Sequence, residues 1–350
     1  LPKPEEDRTI LKNLYSSIKY RLVSDVPISL SLSGGVDSCS IGALLSKIDN
    51  SGFDAFTIDP GKGRIGDETE LVDYFTSIFQ NIKVTRSELS DDSFFEEYKS
   101  IIWHMDEPFL GASPYVRWSI SKVVNKKNYK VLLTGEGADE IFSGYSGVTP
   151  YFLRDVLYRK EFVRFLKEIF KMRNNSNLRK SLIYLIYLLM PNSFRHNFNN
   201  KKVNSQKSKW GIKLDPNQGH SFVSLGINNV KDYMHTVTSK TVLPYLLNCN
   251  DKMSMAFSVE SRAPFLDKDL VALAFSLDSL SNIKNGFRKW NLRKSMLGKV
   301  PSRILLRHQK DAFGAPIDNH LRSSSIQSRV KEIFLEPRSR DFFSKTKFLS

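Results

Sequence analysis

Residues 27–41 read Pro-Ile-Ser-Leu-Ser-Leu-Ser-Gly-Gly-Val-Asp-Ser-Cys-Ser-Ile, and the fold turns on them. Ile28, Leu30 and Leu32 form a β-prone apolar run that stops at Ser33-Gly34-Gly35. Asp37 and Ser38 then open a helical pattern carried by Ile41, Ala43, Leu44 and Leu45. The order is strand, glycine loop, helix N-terminus. Adjacent glycines let a backbone approach an anion closely and turn its N–H groups toward it. The helix dipole and the unpaired amides of the first turn add to that attraction. Ser33, Ser38 and Ser40 offer hydroxyl donors, and Asp37 sets a carboxylate where a metal ion bridging phosphates would sit. A plain tight turn before a capped helix would leave these side chains without a task.

The stretch lacks the Gly-Lys-Ser/Thr of the usual P-loop and the Gly-x-Gly-x-x-Gly spacing of a dinucleotide fold. It resembles the PP-loop of the N-type ATP pyrophosphatases, which bind the β,γ-pyrophosphate of ATP and transfer the adenylyl group. On both sides of it the pattern alternates. Ile10, Leu11, Leu14, Ile18 and Leu22 recur at helical spacing from Thr9 to Leu22. Strands are expected at Phe53–Ile58, Ile82–Thr85 and Tyr129–Thr134. Helices are expected near 67–78, from Asp92 to His104 and from Tyr115 to Lys126. Such alternation implies an α/β fold with a doubly wound parallel sheet. Ligands in such sheets sit beyond the carboxyl ends of the strands.

Residues 1–8 read as a linker and 9–149 as the PP-loop ATP-binding α/β core. Residues 150–230 form a basic, mostly helical insertion whose polar stretch Asn192–Gln218 reads as a mobile loop. Residues 231–350 form a helical C-terminal part that completes the site, with helices at 232–249, 251–257, 267–277 and 288–298. The longest apolar run, Leu182–Met190, is nine residues. A membrane-spanning helix needs roughly 20, so this run reads as a buried or partner-facing helix, with peripheral membrane contact left open.

With 41% hydrophobic residues over 350, a sizeable core is expected. The net charge of +15 points either to nucleic acid or to a solvated basic face around a site for ATP and acidic substrates. The second is the better reading, because the charge is scattered and no nucleic-acid module accompanies it. Cys39 and Cys249 match no metal spacing and suit a reduced, cytoplasmic protein.

A second glycine loop, Leu133-Thr-Gly-Glu-Gly-Ala-Asp-Glu-Ile-Phe-Ser-Gly-Tyr145, crowds Glu136, Asp139 and Glu140 among three glycines. Carboxylates this close repel unless a cation or a substrate ammonium offsets them. Hard oxygen ligands beside phosphates suit Mg²⁺.

Ser-Gly-Gly-Val-Asp-Ser at 33–38 and Gly-Glu-Gly-Ala-Asp-Glu at 135–140, with Gly144-Tyr145 after, together resemble the synthetase half of the glutamine-dependent asparagine synthetases. Leu246–Asp267 resembles that family's helix-and-loop segment. Lys289–Arg293 and Arg307-His-Gln-Lys-Asp-Ala-Phe-Gly314 resemble its C-terminal lysine motif. The likeness runs over about 9–150 and 232–320 and fails over the insertion. It implies an adenine nucleotide alpha-hydrolase-like fold and an ATP-dependent, AMP-forming amide ligase. By position, Ser33, Gly34, Gly35 and Ser38 would hold pyrophosphate, and Asp37 and Asp139 would ligate Mg²⁺. Ser31, Ile58 and Gly135 would frame the adenosine, Glu136 would act as base toward ammonia, and Lys310 would offset charge at the α-phosphorus. Asp67 matches a family position only loosely and reads as well as a helix cap. Glu260 and Arg262 are expected to form a buried ion pair that holds the loop before Pro264.

The implied substrates are aspartate, ATP and ammonia. The family's complete enzymes begin with a glutaminase domain led by a cysteine, and the stretch upstream of Ser33 is too short for one. Either the sequence is a piece of a longer protein, or ammonia is expected from a separate glutaminase or free in solution, or another amine replaces it. A homodimer is compatible with this reading; a nucleic-acid partner and a transmembrane segment are not expected. Relatives that close β-lactams or macrolactams with an internal amine are the nearest alternative. An RNA-modifying ATP pyrophosphatase is a more distant one.

Overall fold

The computed structural model describes residues 4–61, 67–88, 94–107, 109, 111, 113–173, 177–190 and 227–308, with short pieces at 327–328 and 331–332. The first helix, α1 (Pro4–Arg21), takes in most of the stretch that reads as a linker. It closes on Lys19 and Arg21, where the helix dipole favours cations.

The core alternates as its pattern requires: β1 (Ile28–Ser31), α2 (Val36–Ile48), β2 (Phe53–Asp59), α3 (Thr69–Ile78), β3 (Ile82–Glu88), α4 (Phe94–Met105), α5 (Ser113–Lys126), β4 (Val131–Leu133) and the short α6 (Ala138–Ile141). Three helices follow, α7 (Thr149–Tyr158), α8 (Phe162–Met172) and α9 (Leu178–Leu189), and then α10 (Val230–Ser239) and α11 (Val242–Met255). The last elements are β5 (Glu260–Arg262), α12 (Lys268–Ser276), α13 (Trp290–Ser295) and α14 (Ser302–Leu305). The expected loop at Asn192–Gln218 lies outside the described residues.

The five strands form one parallel sheet in the order β3-β2-β1-β4-β5. Alternate side chains leave the sheet on opposite faces. Leu30, Ala55 and Leu133 join α1, α2 and α12 in one apolar cluster. Phe56, Ile58 and Leu132 face the other way, against α4, α5 and α11. A third cluster, away from the sheet, unites α7, α8, α9 and α10. Chain order departs from spatial order between β1 and β4, and the crevice at that switch point is where such sheets bind ligands.

Two local readings differ from the structure. The expected helices 232–249 and 251–257 are instead α10 and α11, and the break falls at Lys240–Thr241. Thr241 N and Oγ1 both bond back to the Thr236 carbonyl, and Pro244, tolerated only in a first turn, starts the new helix. Residues 260–262 are strand β5 and not loop, held by Glu260 N to the Lys130 carbonyl and Thr134 N to the Arg262 carbonyl. A short polar edge strand carries no apolar alternation by which to find it. The Glu260–Arg262 pair forms at 2.8 Å, but Glu260 is over half exposed, so the pair adds little by itself. Arg262 also donates to the carbonyls of Arg21 and Val23, tying the end of α1 to the sheet.

Gly137, at φ 93°, turns the chain out of β4 toward α6 with Leu266 pressed on its α-carbon. A β-carbon there would lie 2.3 Å from Leu266 Cδ2. Gly137→Ala adds a left-handed backbone penalty to that collision and should destabilise the fold by about 2 kcal/mol or more. A lower urea midpoint at unchanged slope is the expected reading.

Candidate active site

Both glycine loops leave the sheet at the β1/β4 switch point, and they pack back to back. A β-carbon at Gly135 would lie 3.0 Å from Asp37 Cβ and 3.3 Å from Ser38 N. The first loop turns through Gly34 at φ 71° and closes on α2: Ser33 N donates to Ser38 Oγ at 3.0 Å, and the two hydroxyls lie 3.1 Å apart. Ser40 does not join the cradle. Its hydroxyl is buried and donates back to the Val36 carbonyl at 2.6 Å.

The charge at the centre comes from the far end of the chain. Lys289 Nζ lies 2.8 and 2.7 Å from the two oxygens of Asp37 and 2.5 Å from Asp139 Oδ1. Lys289 and Asp37 are buried. Gly144 makes room for the bridge: a β-carbon there would lie 1.9 Å from Asp139 Oδ1 and 2.1 Å from Lys289 Cε. Two arginines stand behind the lysine. Arg288 Nε donates to the Gly144 carbonyl and Arg293 Nε to the Arg288 carbonyl, each at 2.7 Å. Burial holds the Arg293 guanidinium down to about 10, and lowers Arg288 as well. Arg307 pairs with Glu68 at 2.7 Å. A space of about 40 Å³ remains at the mouth of the glycine loop, where Arg288, Lys289, Arg293 and Arg307 stand against Asp37, Glu68 and Asp139 and leave a net-cationic recess. Asp37 and Asp139 are the residues that could hold Mg²⁺. The ammonium already between them shows that the point calls for positive charge.

On the other side of the loops lies a cavity of about 470 Å³. Ser31, Ser33 and Ser38 line one wall, Thr134, Gly135 and Glu136 another. Glu136 Oε1 accepts from Arg117 Nη2 at 2.5 Å. Arg117 rises from α5, is buried, and also donates to the Ser113 carbonyl at 3.3 Å, while its Nε has no hydrogen-bond partner. Glu140 also faces the cavity. Burial pushes its carboxyl up to about 7, although the Tyr145 hydroxyl donating at 2.6 Å opposes that shift.

Ser31, Ser33, Asp37, Ser38, Gly135, Glu136 and Asp139 thus all line this cavity, while Gly34 and Gly35 line the cationic recess. Ile58 is not among the cavity's lining residues, but it belongs to the sheet's second apolar cluster, whose Ile120 and Leu132 form part of the cavity wall. Lys310 lies outside the described residues. Asp67 lies one residue before Glu68, the N-cap of α3, and its Oδ1 accepts from Thr69 N and from the Thr69 hydroxyl. Asp251 is exposed on α11. The sequence reading missed Arg117, Arg288, Lys289 and Arg293 as site residues. A lone arginine inside the apolar run Tyr115–Ile120 was a signal for the first. For Lys289 the signal was the lysine motif itself, which pointed along the chain to Lys310.

The asparagine synthase family model matches residues 9–350. The chain belongs to the asparagine synthase family. It is 27% identical to asparagine synthetase [glutamine-hydrolyzing] 1 of Bacillus subtilis, over 97% of this chain and 55% of that protein. A putative asparagine synthetase [glutamine-hydrolyzing] of Mycobacterium tuberculosis is 28% identical over 89% of this chain and 48% of its own length. The amidase chyE of Penicillium rubens is 24% identical over 84% and 50%. The chain therefore spans about half the length of the curated relatives it matches. Among solved structures, the U34-tRNA thiolase NcsA of Methanococcus maripaludis aligns with a TM-score of 0.28 at 12% identity, covering 87% of this chain and 81% of that one, a likeness that carries no argument.

Both cysteines are free and buried. Among the described residues, no helix is long and apolar enough to cross a membrane.

Proposed function

We propose that this chain adenylates the side-chain carboxylate of aspartate and passes the acyl group to ammonia, giving asparagine, AMP and pyrophosphate. The observation that carries the reading is the Asp37–Lys289–Asp139 bridge at the mouth of the glycine loop, with the Glu136 cavity directly behind it. A γ-phosphate transferase would need its cation beside the terminal phosphate. Here the N-terminus of α2 and the cationic recess favour a leaving pyrophosphate, which exposes the α-phosphorus toward the larger cavity. Mg²⁺ held by Asp37 and Asp139 would offset the charge of the phosphates. Lys289, Arg293 and Lys310 would share that work as pyrophosphate separates.

The amine is handled on the cavity side. Attack on the acyl-adenylate releases a proton, and Glu136 is the carboxylate in place to accept it. Arg117 holds only one of its oxygens, so Oε2 can face the cavity. The nitrogen source is proposed as ammonia, delivered by a glutaminase domain or subunit. A larger acceptor, as in lactam closure, remains the second reading. Asn177, at the start of α9, reaches the cavity wall, so the helices after the core border the acceptor side.

ATP–pyrophosphate exchange measured against a panel of carboxylates tests the assignment. Exchange stimulated by aspartate, and lowered at least about a hundredfold by Asp37→Ala, is the expected result. If exchange responds to a peptide carboxylate and not to aspartate, the ligase reading stands and the asparagine assignment falls.

A further inference from the structure

α8 is amphipathic in an unusual direction. With about 100° between successive residues, Phe162, Val163, Leu166 and Phe170 share one stripe, and their exposures are 61, 67, 66 and 60%. The side that packs on the protein holds Glu168 and Met172, with Phe165 and Ile169 half-buried in the third cluster. The Glu168 carboxylate is taken up there by the N–H groups of Asn285 and Gly286, at 2.9 and 2.8 Å. The centre of the apolar face is therefore rotated by roughly a third of a turn from the centre of the packing face. A surface helix ordinarily turns its apolar stripe into the core. This one turns half of it outward.

The charge around the stripe is predominantly positive. Residues 149–190 contain nine Lys and Arg against three Asp and Glu. The three acids are engaged: Glu161 with Arg164 at 3.0 Å, Glu168 as above, and Asp155 with Val230 N at 2.9 Å. Lys160, Lys167 and Lys171 are exposed along the edge of the stripe. Beside it lies a groove of about 870 Å³ of mixed charge, where Lys160, Lys167 and Lys284 stand with Glu161, Glu168 and Asp278. The buried Trp290 indole Nε1 has no hydrogen-bond partner there, and Lys284 Nζ stands 5.9 Å from its ring centroid. α9 exposes Ile183, Ile186 and Leu189 in turn.

We propose that α8 is a membrane-docking helix that seats this enzyme on an anionic phospholipid surface. The Phe162–Phe170 stripe would enter the headgroup–acyl boundary, while the lysines reach the lipid phosphates along its edge. A protein partner fits less well, since a bare helical stripe edged with like charge asks for a plane of opposite charge and not for a shaped pocket. The proposal is independent of which carboxylate the enzyme activates.

Co-sedimentation of the whole chain with vesicles tests it. Binding is expected to vesicles of phosphatidylcholine with phosphatidylglycerol, weakened by salt, and not to phosphatidylcholine alone. A basic residue near an anionic surface is worth about fivefold in partitioning, so Lys160→Glu with Lys167→Glu should lower binding by at least about twenty-five-fold. Phe162→Ser with Leu166→Ser should abolish it. Both variants should keep ATP–pyrophosphate exchange, since none of these residues lines the active site. Absence of binding by the wild-type chain overturns the proposal. So does a concentration-dependent dimer in sedimentation velocity that Phe162→Ser with Leu166→Ser dissolves, which would make the stripe an interface between copies. Slow thiol labelling of a Leu166→Cys variant without vesicles would also overturn it, because the stripe would then be covered by the chain itself.

Discussion

Lys289→Met should lower ATP-dependent pyrophosphate release by about 10²–10³-fold, the usual effect of losing one charge-stabilising donor in a desolvated site. The methionine keeps the length of the side chain and removes the ammonium. Asp37 and Asp139 are then left facing each other, one buried and the other about a fifth exposed. Removing one partner from a buried ion pair costs roughly 3–5 kcal/mol. Partial exposure of Asp139 reduces that to about 2–3 kcal/mol in the absence of nucleotide. The discriminating measurement is the response to Mg²⁺. A divalent cation replaces the missing charge in the variant but must displace an ammonium in the wild type, so Mg²⁺ should raise the urea midpoint of the variant more. Equal responses would mean that the two aspartates are not the metal-binding pair.

Glu136→Gln separates the two half-reactions. Glutamine keeps the shape, and its carbonyl can still accept from Arg117, but it is far too weak a base for an ammonium proton. ATP–pyrophosphate exchange should persist near the wild-type rate, while amide formation falls by about 10²–10⁴-fold. If both fall together, Glu136 serves with Arg117 to place the carboxylate substrate, and the base lies elsewhere. Each outcome assigns the residue, because exchange and amide release are read in the same preparation.

Much of this was visible in local sequence. A strand-glycine-helix unit is a short-range object, fixed by neighbouring residues that pack or turn against one another. The run 27–41 therefore announced its own conformation, and the spacing of apolar residues announced most helices from α1 to α5. Where local reading slipped, the determinant was nonlocal. β5 exists because β4 has a free edge for it, and its own residues are polar. Ile58 joins the cavity's surroundings only through the apolar cluster it shares with Ile120 and Leu132, which the register of β2 and the packing of α5 bring together. Arg117 was hidden inside an apolar helix, and only its pairing with Glu136 gives it a role.

The sequence by itself determined that two glycine loops end two strands of a parallel sheet, and that the second loop is acidic. Periodicity and turn chemistry act over a few residues, and that was enough. Only the tertiary structure decided what neutralises those acids. Lys289 lies 252 positions from Asp37, and no spacing rule spans such a gap. The strand order β1–β4 brings the two carboxylates together, and the packing of α13 against α1 brings the segment that begins at Lys289 to the same point. A buried carboxylate, a partly buried one and a buried ammonium form a stable centre because each charge would be costly alone. That balance belongs to the fold, and the chain order does not contain it.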